Sequence, residues 1–200
     1  MTDYNALQML VFLQTAGWLA CVIYSTIPAF WLMIHPYVAY WRSRSSSPYR
    51  VLLPLWIGMW FVIIGVTYSW RHVTVYSEPW CWIPAVALFT VGIWIYRQSG
   101  RAFTASCLGG VPELRRHLGE QQLITSGIRS RVRHPVYLAH FCEMLAWSIG
   151  TGLAICYALT LFAAVSGAFM LRQEDAELEQ RFGDDFRRYK NKVPALLPHF

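Results

Sequence analysis

Residues 133–175 read RHPVYLAHFCEMLAWSIGTGLAICYALTLFAAVSGAFMLRQED, and this stretch decides the fold. Two apolar segments, at about 135–150 and 152–171, are separated only by Gly150-Thr151-Gly152. So short a connection between two helices allows only a tight helical hairpin. Because a hairpin brings the start of its first helix beside the end of its second, this topology predicts that Glu174 lies near Arg133 and His134.

Three further apolar segments precede the hairpin, at about 7–34, 51–70 and 80–97. Charged residues make up only 14% of the chain, against roughly 25% in an ordinary soluble domain. A helix needs about 20 apolar residues to cross a bilayer, and several of these segments reach that length. The sequence therefore predicts an all-α integral membrane protein with five transmembrane helices, built as a single domain over 1–200. Three helices fall within 1–97, and the remainder, 98–200, holds a loop, the hairpin and a tail.

The distribution of Lys and Arg predicts the orientation of these helices. Segments rich in basic residues alternate with segments that have few or none, and basic segments face the cytoplasm. The basic residues are, from loop to loop, Arg42, Arg44, Arg50; Arg71; Arg97, Arg101, Arg115, Arg116, Arg129, Arg131, Arg133; and, in the tail, Arg172, Arg181, Arg187, Arg188, Lys190, Lys192. The pattern predicts an external N-terminus and a cytoplasmic C-terminus. The start of the chain lacks the basic region of a cleavable signal peptide, so the first helix is expected to remain.

Composition also argues against several classes of function. The net charge of +6 lies in segments that flank apolar helices, where it predicts contacts with membrane lipids rather than with nucleic acid. The five cysteines show no CxxC spacing, so neither a zinc site nor a disulfide framework is expected. Gly109-Gly110 is not part of a GxGxxG motif, so no soluble dinucleotide-binding fold is indicated.

The sequence Arg133-His134-Pro135 has a direct physical interpretation. Proline is favourable at the first turn of a helix, so His134 is expected at or near the N-cap, with Arg133 just outside. A helix N-terminus carries partial positive charge, and here a cation and an imidazole add to it. The product is a corner that can recognise a carboxylate or a phosphate. The alternative is structural: Arg133 contacts lipid phosphates, and His134 only caps the helix.

Two acidic sites lie near this corner in the predicted topology. Glu174 and Asp175 follow the last apolar segment and open a charged helix, and the alternative role for them is a solvated face that pairs locally with Arg172 and Arg181. Glu143 lies about two turns inside the fourth apolar segment, where an ionisable group is costly and is usually paired or functional. His140 is one turn earlier, so a His140–Glu143 pair would satisfy both groups. Such a pair is catalytic or metal-binding, or else it is a structural polar contact or lines a water-filled entry.

At this point the residues resemble a family. The series Gly100-Arg101-Ala102-Phe103, Leu123-Ile124-Thr125-Ser126-Gly127 and Arg133-His134-Pro135-Val136-Tyr137 is similar to that of the isoprenylcysteine carboxyl methyltransferases. The similarity continues through Glu174-Asp175, Leu178, Phe182-Gly183, Phe186, Tyr189 and Val193-Pro194, so it covers about 100–198. The same pattern occurs in a wider superfamily that includes membrane phospholipid N-methyltransferases. The small size resembles prokaryotic members, which implies the inner membrane of a prokaryotic cell.

The resemblance implies an S-adenosylmethionine site at the cytoplasmic corner. By matched position, the cofactor would be bound by Gln121, Gln122, Leu123, Ile124, His134, Pro135, Val136, Tyr137 and Glu174. Arg133 would orient a carboxylate of the cofactor or acceptor, and Glu174 would align the cofactor and is the candidate base if the acceptor must lose a proton. Arg133 and Glu174 are thus the predicted catalytic residues, and no metal is implied.

The resemblance also implies a lipophilic acceptor, either a small molecule or a prenylated or lipid group. One departure from the family affects that acceptor. The eukaryotic carboxyl methyltransferases have a substrate-contacting Arg one turn before the paired acids, whereas this chain has Met170, with Arg172 nearby as the candidate substrate-binding residue. The function predicted is therefore methylation of a lipophilic acceptor. The alternatives are N-methylation of a phospholipid amine on the same scaffold and a non-catalytic membrane scaffold protein.

Overall fold

A computed structural model describes residues 2–100, 114 and 122–197 of the chain. Its helices, numbered here in chain order, are α1 (Thr2–Leu32), α2 (Val38–Ser43), α3 (Tyr49–Thr67), α4 (Trp82–Gly100), α5 (Pro135–Thr151), α6 (Ala154–Phe182) and α7 (Asp184–Lys192). Short 3-10 turns at His35–Tyr37, Tyr68–Trp70, Pro79–Cys81 and Gly127–Ser130 join them. The prediction of an all-α chain is confirmed for this part of the sequence.

Within the residues that the structure describes, four helical segments are long and apolar enough to cross a membrane. They are Leu7–Ser43, Tyr49–Trp70, Pro79–Gly100 and Ala154–Phe182. The fourth predicted span forms α5, which has 17 residues and is shorter than these segments. The chain is an integral membrane protein with at least these apolar helices, and the five-span arrangement stays a prediction.

The helices pack as two pairs: α4 packs along α5, and α1 packs along α6. Helix α1 also contacts α5. A buried cluster that includes Trp18, Val22, Met144 and Leu159 joins α1, α5 and α6. Helix α3 packs on α1 and is otherwise exposed, as expected of a helix that faces lipid. This arrangement holds α5 in the interior, with α1, α4 and α6 around it.

The connection between α5 and α6 turns at Gly152, whose φ of 65° lies in the left-handed region that favours glycine. The loop after α3 closes over this turn, because the Val75 amide donates to the Gly152 carbonyl at 2.8 Å and the Ala154 amide donates to the Val73 carbonyl at 2.9 Å. A methyl group added at Gly152 would lie 2.1 Å from the Tyr76 carbonyl oxygen. Only glycine therefore fits both the backbone angle and the space at this turn.

Helix α6 extends further than the apolar segment that predicts it. The sequence places the end of the fifth span near 171 and a separate charged helix after it. In the structure one helix runs without a break from Ala154 to Phe182, and Gly183, with φ of 57°, ends it before α7 begins. Glu174 and Asp175 consequently lie on the same rigid helix as the apolar segment, which fixes their position relative to α5.

Candidate functional site

The site is built at the start of α5. Pro135 is the first helical residue and His134 is the N-cap, as the sequence predicts, although the His134 side chain makes no capping hydrogen bond. The tail that follows α7 lies against this helix start: the amides of Arg133 and His134 donate to the carbonyls of Pro194 and Ala195 at 2.9 and 3.0 Å. The residues just before α5 are therefore held by the C-terminal tail.

His134 lies between two carboxylates on α6. Its Nε2 atom is 3.0 Å from Oδ1 of Asp175, and its Nδ1 atom is 3.3 Å from Oε2 of Glu174. Burial by itself would lower the pKa of His134, but the two carboxylates outweigh burial and raise that pKa to about 9. His134 is therefore an imidazolium at neutral pH, with its two ring N–H groups facing the two acids.

Arg133 is buried beside this pair. Its guanidinium donates to Oδ2 of Asp175 at 2.8 Å and to the carbonyls of Lys190 and Val193 at 3.1 and 2.5 Å. These bonds connect α5 to α6 and to the end of α7. The Arg133 side chain is only 9% exposed, so in this structure it serves the protein's own carboxylate and carbonyls.

The tail is held in place by an apolar cluster of its own. Phe186, Tyr189 and Val193 are buried, and Leu123, Leu178 and Phe182 pack against them. The Tyr189 hydroxyl also donates to the Arg129 carbonyl at 2.6 Å. These residues therefore form a small core. It holds in place the tail carbonyls that accept hydrogen bonds from Arg133 and His134.

A cavity of about 390 Å³ opens beside this cluster, between α1, α5, α6 and the tail. One end is apolar and small residues of α6 line it, namely Ala163, Ala164, Gly167 and Ala168. The polar lining groups are Tyr24, Tyr137, His140, Arg172 and Asp175, of which Tyr137, Arg172 and Asp175 lie toward the start of α5. The cavity can therefore accept an apolar chain with a polar head, the head lying next to the His134–Asp175 pair.

The predicted His140–Glu143 pair is not formed. Glu143 instead accepts a hydrogen bond from the Tyr24 hydroxyl of α1, because its side chain points across the helix interface rather than along α5. The His140 ring lies among tyrosines, with centroids 5.1 Å from Tyr24, 5.4 Å from Tyr96 and 6.1 Å from Tyr137. The two polar residues of α5 thus have separate surroundings.

The remaining predicted site residues lie at different depths. Pro135 is buried, and Tyr137 is half-buried and lines the cavity, as does the exposed Arg172. Val136 is half-buried, Gln122 and Ile124 are exposed, and Leu123 packs under α7. Gln121 lies outside the described residues. The structure thus brings Arg133, His134, Tyr137, Arg172 and Glu174 to one end of the bundle.

Sequence reasoning missed two residues of this site. Asp175 joins Arg133, His134 and the cavity, yet the sequence gives it no distinction from Glu174 beside it. Tyr24 lies on α1, far away in sequence, and no motif marks it among the many aromatic residues. The helical phase of α6 carries the only signal for Asp175, since it places that residue on the face of Leu171 and Leu178.

Several curated proteins match the chain. A protein-S-isoprenylcysteine O-methyltransferase from Xenopus laevis is 38% identical over 81 residues, which is 38% of this chain and 27% of that protein. The protein of the same name from Mus musculus is 28% identical over 143 residues, 65% of this chain and 48% of that protein. The nickel-cobalt-cadmium resistance protein NccN of Alcaligenes xylosoxydans xylosoxydans is 32% identical over 152 residues, 71% of this chain and 64% of that protein.

These matches cover only part of each relative. The chain spans 27% and 48% of the length of the Xenopus and mouse methyltransferases. No family model and no solved structure matches the chain.

Proposed function

The chain belongs to an isoprenylcysteine carboxyl methyltransferase-like family, and from this premise we propose that it is a membrane methyltransferase that uses S-adenosylmethionine on a lipophilic acceptor. One observation supports this most directly. The buried His134–Glu174–Asp175 cluster lies at the polar end of an apolar cavity, with Tyr137, His134 and Glu174 among the residues that the resemblance assigns to the cofactor. A polar cofactor and an apolar acceptor would therefore meet at this boundary.

The membrane arrangement that suits this function has five spans. Helix α5 is about 25 Å long at 1.5 Å per residue, close to the thickness of the hydrocarbon core. The Lys and Arg pattern then gives an external N-terminus and puts the cluster at the cytoplasmic face of the inner membrane of a prokaryotic cell. Reporter fusions after residues 43, 76 and 197 test this, since the first and third should report a cytoplasmic position and the second an external one.

The residues at the cluster fit the cofactor. Oε2 of Glu174 is buried and forms an ion pair with Nδ1 of His134 at 3.3 Å, and the carboxylate has further lone pairs that can accept from an amino group or a ribose hydroxyl. The first turn of α5 leaves amide groups without intrahelical acceptors, which favours a carboxylate there. Residues 121–124, 134–137 and Glu174 would hold the cofactor. When bound, S-adenosylmethionine supplies an electrophilic methyl group on its sulfonium.

The structure supports different roles for the two predicted catalytic residues. Arg133 spends its hydrogen bonds on Asp175 and on two carbonyls, so we assign it a positioning role: it fixes the start of α5 and the charge of Asp175. Glu174 is 21% exposed on its side chain and its Oε2 pairs with His134, so the carboxylate is held in place yet accessible, which suits a group that aligns a ligand. Arg172 lies at the rim of the cavity and is the candidate substrate-binding residue.

The cavity supports an acceptor with an apolar body. The small side chains of Ala164, Gly167 and Ala168 let a chain lie close to the backbone of α6. Apolar walls exclude water from the reacting groups, and the fixed helices orient them, which is where most of the acceleration of such a transfer would arise.

Binding of the cofactor to the purified protein in detergent tests the proposal. A ligand at 100 times its Kd stabilises a fold by about 2.7 kcal/mol, so the melting temperature should rise saturably with S-adenosylmethionine and with S-adenosylhomocysteine. Glu174→Gln should abolish the rise. Glu179→Gln is the matched control, because Glu179 lies on the same helix in a surface ion pair with Arg187. If neither ligand stabilises the wild-type protein, the chain is a non-catalytic membrane scaffold and the proposal fails.

A further inference from the structure

The cavity is lined by a base, His140, that the proposed function does not use. We propose that the acceptor reacts through a neutral, proton-bearing nucleophile on an apolar body (a hydroxyl, thiol or amine), and that His140 takes its proton. The inference rests on the proposed function, because it concerns the acceptor of that same methyl transfer. It differs from the methylation of a carboxylate, which needs no base.

His140 is placed for this task. Its ring lines the cavity one turn after Tyr137, on the same face of α5, and Tyr137 is among the residues assigned to the cofactor. Nδ1 of His140 is buried and has no hydrogen-bond partner within the described part of the chain. An unprotonated imidazole nitrogen can accept one proton.

The carboxylates near the cavity already have partners within the protein. Asp175 binds Arg133 through Oδ2 and His134 through Oδ1, so both of its oxygens face cations. A carboxylate held in this way is a poor proton acceptor. Glu143 accepts the Tyr24 hydroxyl bond and does not line the cavity. Glu174, the base suggested by the sequence, pairs with His134 and is not among the residues that line the cavity. His140 is therefore the base that an acceptor in this cavity would meet.

The cationic groups do not favour a carboxylate acceptor. Met170, one turn before the paired acids, is fully buried in the bundle and supplies no cation to the cavity. Arg172 is exposed and its guanidinium lies 5.9 Å from the Phe169 ring on the outer surface of α6. The uncharged polar residues that line the cavity are Tyr24, Tyr137 and His140, which suit a neutral nucleophile.

The proposed step balances in atoms and charge. The acceptor's lone pair forms the new bond to the methyl carbon while the bond from that carbon to sulfur breaks, and the electron pair of the broken bond stays on sulfur as a neutral thioether. The acceptor's proton passes to the ring of His140. The positive charge thus moves from sulfur to the imidazolium, which later releases its proton to water.

A matched set of acceptors tests the proposal. Three compounds with one farnesyl chain would end in a carboxylate, a thiol or a primary amine, and labelled methyl transfer and thermal stabilisation would be measured for each. We expect transfer to the thiol or the amine in preference to the carboxylate. His140→Gln should reduce that transfer about 100-fold or more, the usual contribution of a general base. Phe141→Leu, which lines the same cavity without a proton acceptor, should weaken all three acceptors alike.

Rescue separates chemistry from structure. Added imidazole should restore transfer in His140→Ala and leave Phe141→Ala unchanged, a result that a merely structural His140 would not give. Preferred methylation of the carboxylate, or full activity of His140→Gln on the thiol and amine, would overturn the proposal. If no compound is methylated, thermal stabilisation decides, and equal or stronger binding of the carboxylate overturns it. Failure of the proposed function is a separate result, since S-adenosylmethionine would then not stabilise the wild-type protein.

Discussion

Nε2 of His134 lies 3.0 Å from Oδ1 of Asp175, and the other oxygen of Asp175 lies 2.8 Å from the guanidinium of Arg133. One carboxylate of α6 thus holds two consecutive residues at the start of α5. Both partners are cations, and all three side chains are largely buried. These three side chains join α5 and α6 at the end opposite their connecting turn. They set the position of the predicted cofactor residues on α5.

We expect Asp175→Asn to destabilise the protein strongly. It leaves the buried guanidinium of Arg133 without its anion, and removing one partner of a buried pair costs about 3–5 kcal/mol. Glu174→Gln should cost less, because the Glu174 side chain is 21% exposed against 10% for Asp175. Thermal unfolding in detergent, followed by tryptophan fluorescence, measures both losses. Equal losses in the two variants would contradict this account.

The charge of His134 predicts a pH dependence of stability. The carboxylates of Glu174 and Asp175 raise its pKa to about 9, above the ordinary value of 6.5, so the folded state binds the proton more tightly than the unfolded state. The stabilisation is complete below about pH 6.5 and is lost as the pH rises through 9, and it amounts to something on the order of 3 kcal/mol.

Unfolding measurements between pH 6 and 10 check this dependence. Wild-type stability should fall across that window, and His134→Gln should remove most of the slope, since Gln does not titrate. His72→Gln is the matched control, because His72 is an exposed loop residue and its loss should leave the slope unchanged. A variant of His134 with the wild-type slope would show that another group is responsible.

The fold could be predicted largely because apolar length and glycine placement are local signals. The apolar segments become α1, α3, α4, α5 and α6, and the turn at Gly152 follows from two glycines between two apolar segments. The proximity of Glu174 to His134 also follows from that turn. The length of α6 could not be predicted, because a polar helix continuing an apolar one has no marker until Gly183.

The partners within the site could be predicted less well, because they depend on helix rotation. His140 and Glu143 are one turn apart and suggested a pair, yet α1 supplies Tyr24 to Glu143 across the helix interface. Arg133 carried the predicted orienting role for a ligand, whereas Asp175 and the tail carbonyls occupy its guanidinium. Contacts between distant segments of this kind are set by packing, and single-residue spacing does not encode them.

We expect Gly152→Ala to prevent stable packing of the α5–α6 turn. The backbone φ of 65° is unfavourable for alanine by roughly 1–2 kcal/mol, and its methyl group would also meet the Tyr76 carbonyl oxygen at 2.1 Å. Gly65→Ala on α3 is the control, because nothing lies within 4 Å of an added methyl group there. Melting temperatures should fall sharply for the first variant and stay level or rise slightly for the second. Comparable stability of the two would show that the turn rearranges freely.

Gly167 provides a way to block the acceptor end of the cavity without touching the cofactor cluster. Gly167→Leu adds a branched side chain among Ala163, Ala164 and Ala168, and overpacking of this kind costs about 1–3 kcal/mol, or roughly 5- to 150-fold in acceptor affinity. The Kd for S-adenosylmethionine should stay unchanged, because Gly167 lies two helical turns from Glu174 and Asp175. Gly167→Ala is the matched control, since its methyl group would meet only Cγ of Pro28, at the ordinary contact distance of 3.8 Å. Acceptor titrations of both variants at saturating cofactor measure the difference, and a Gly167→Leu protein with wild-type acceptor affinity would place the acceptor outside this cavity.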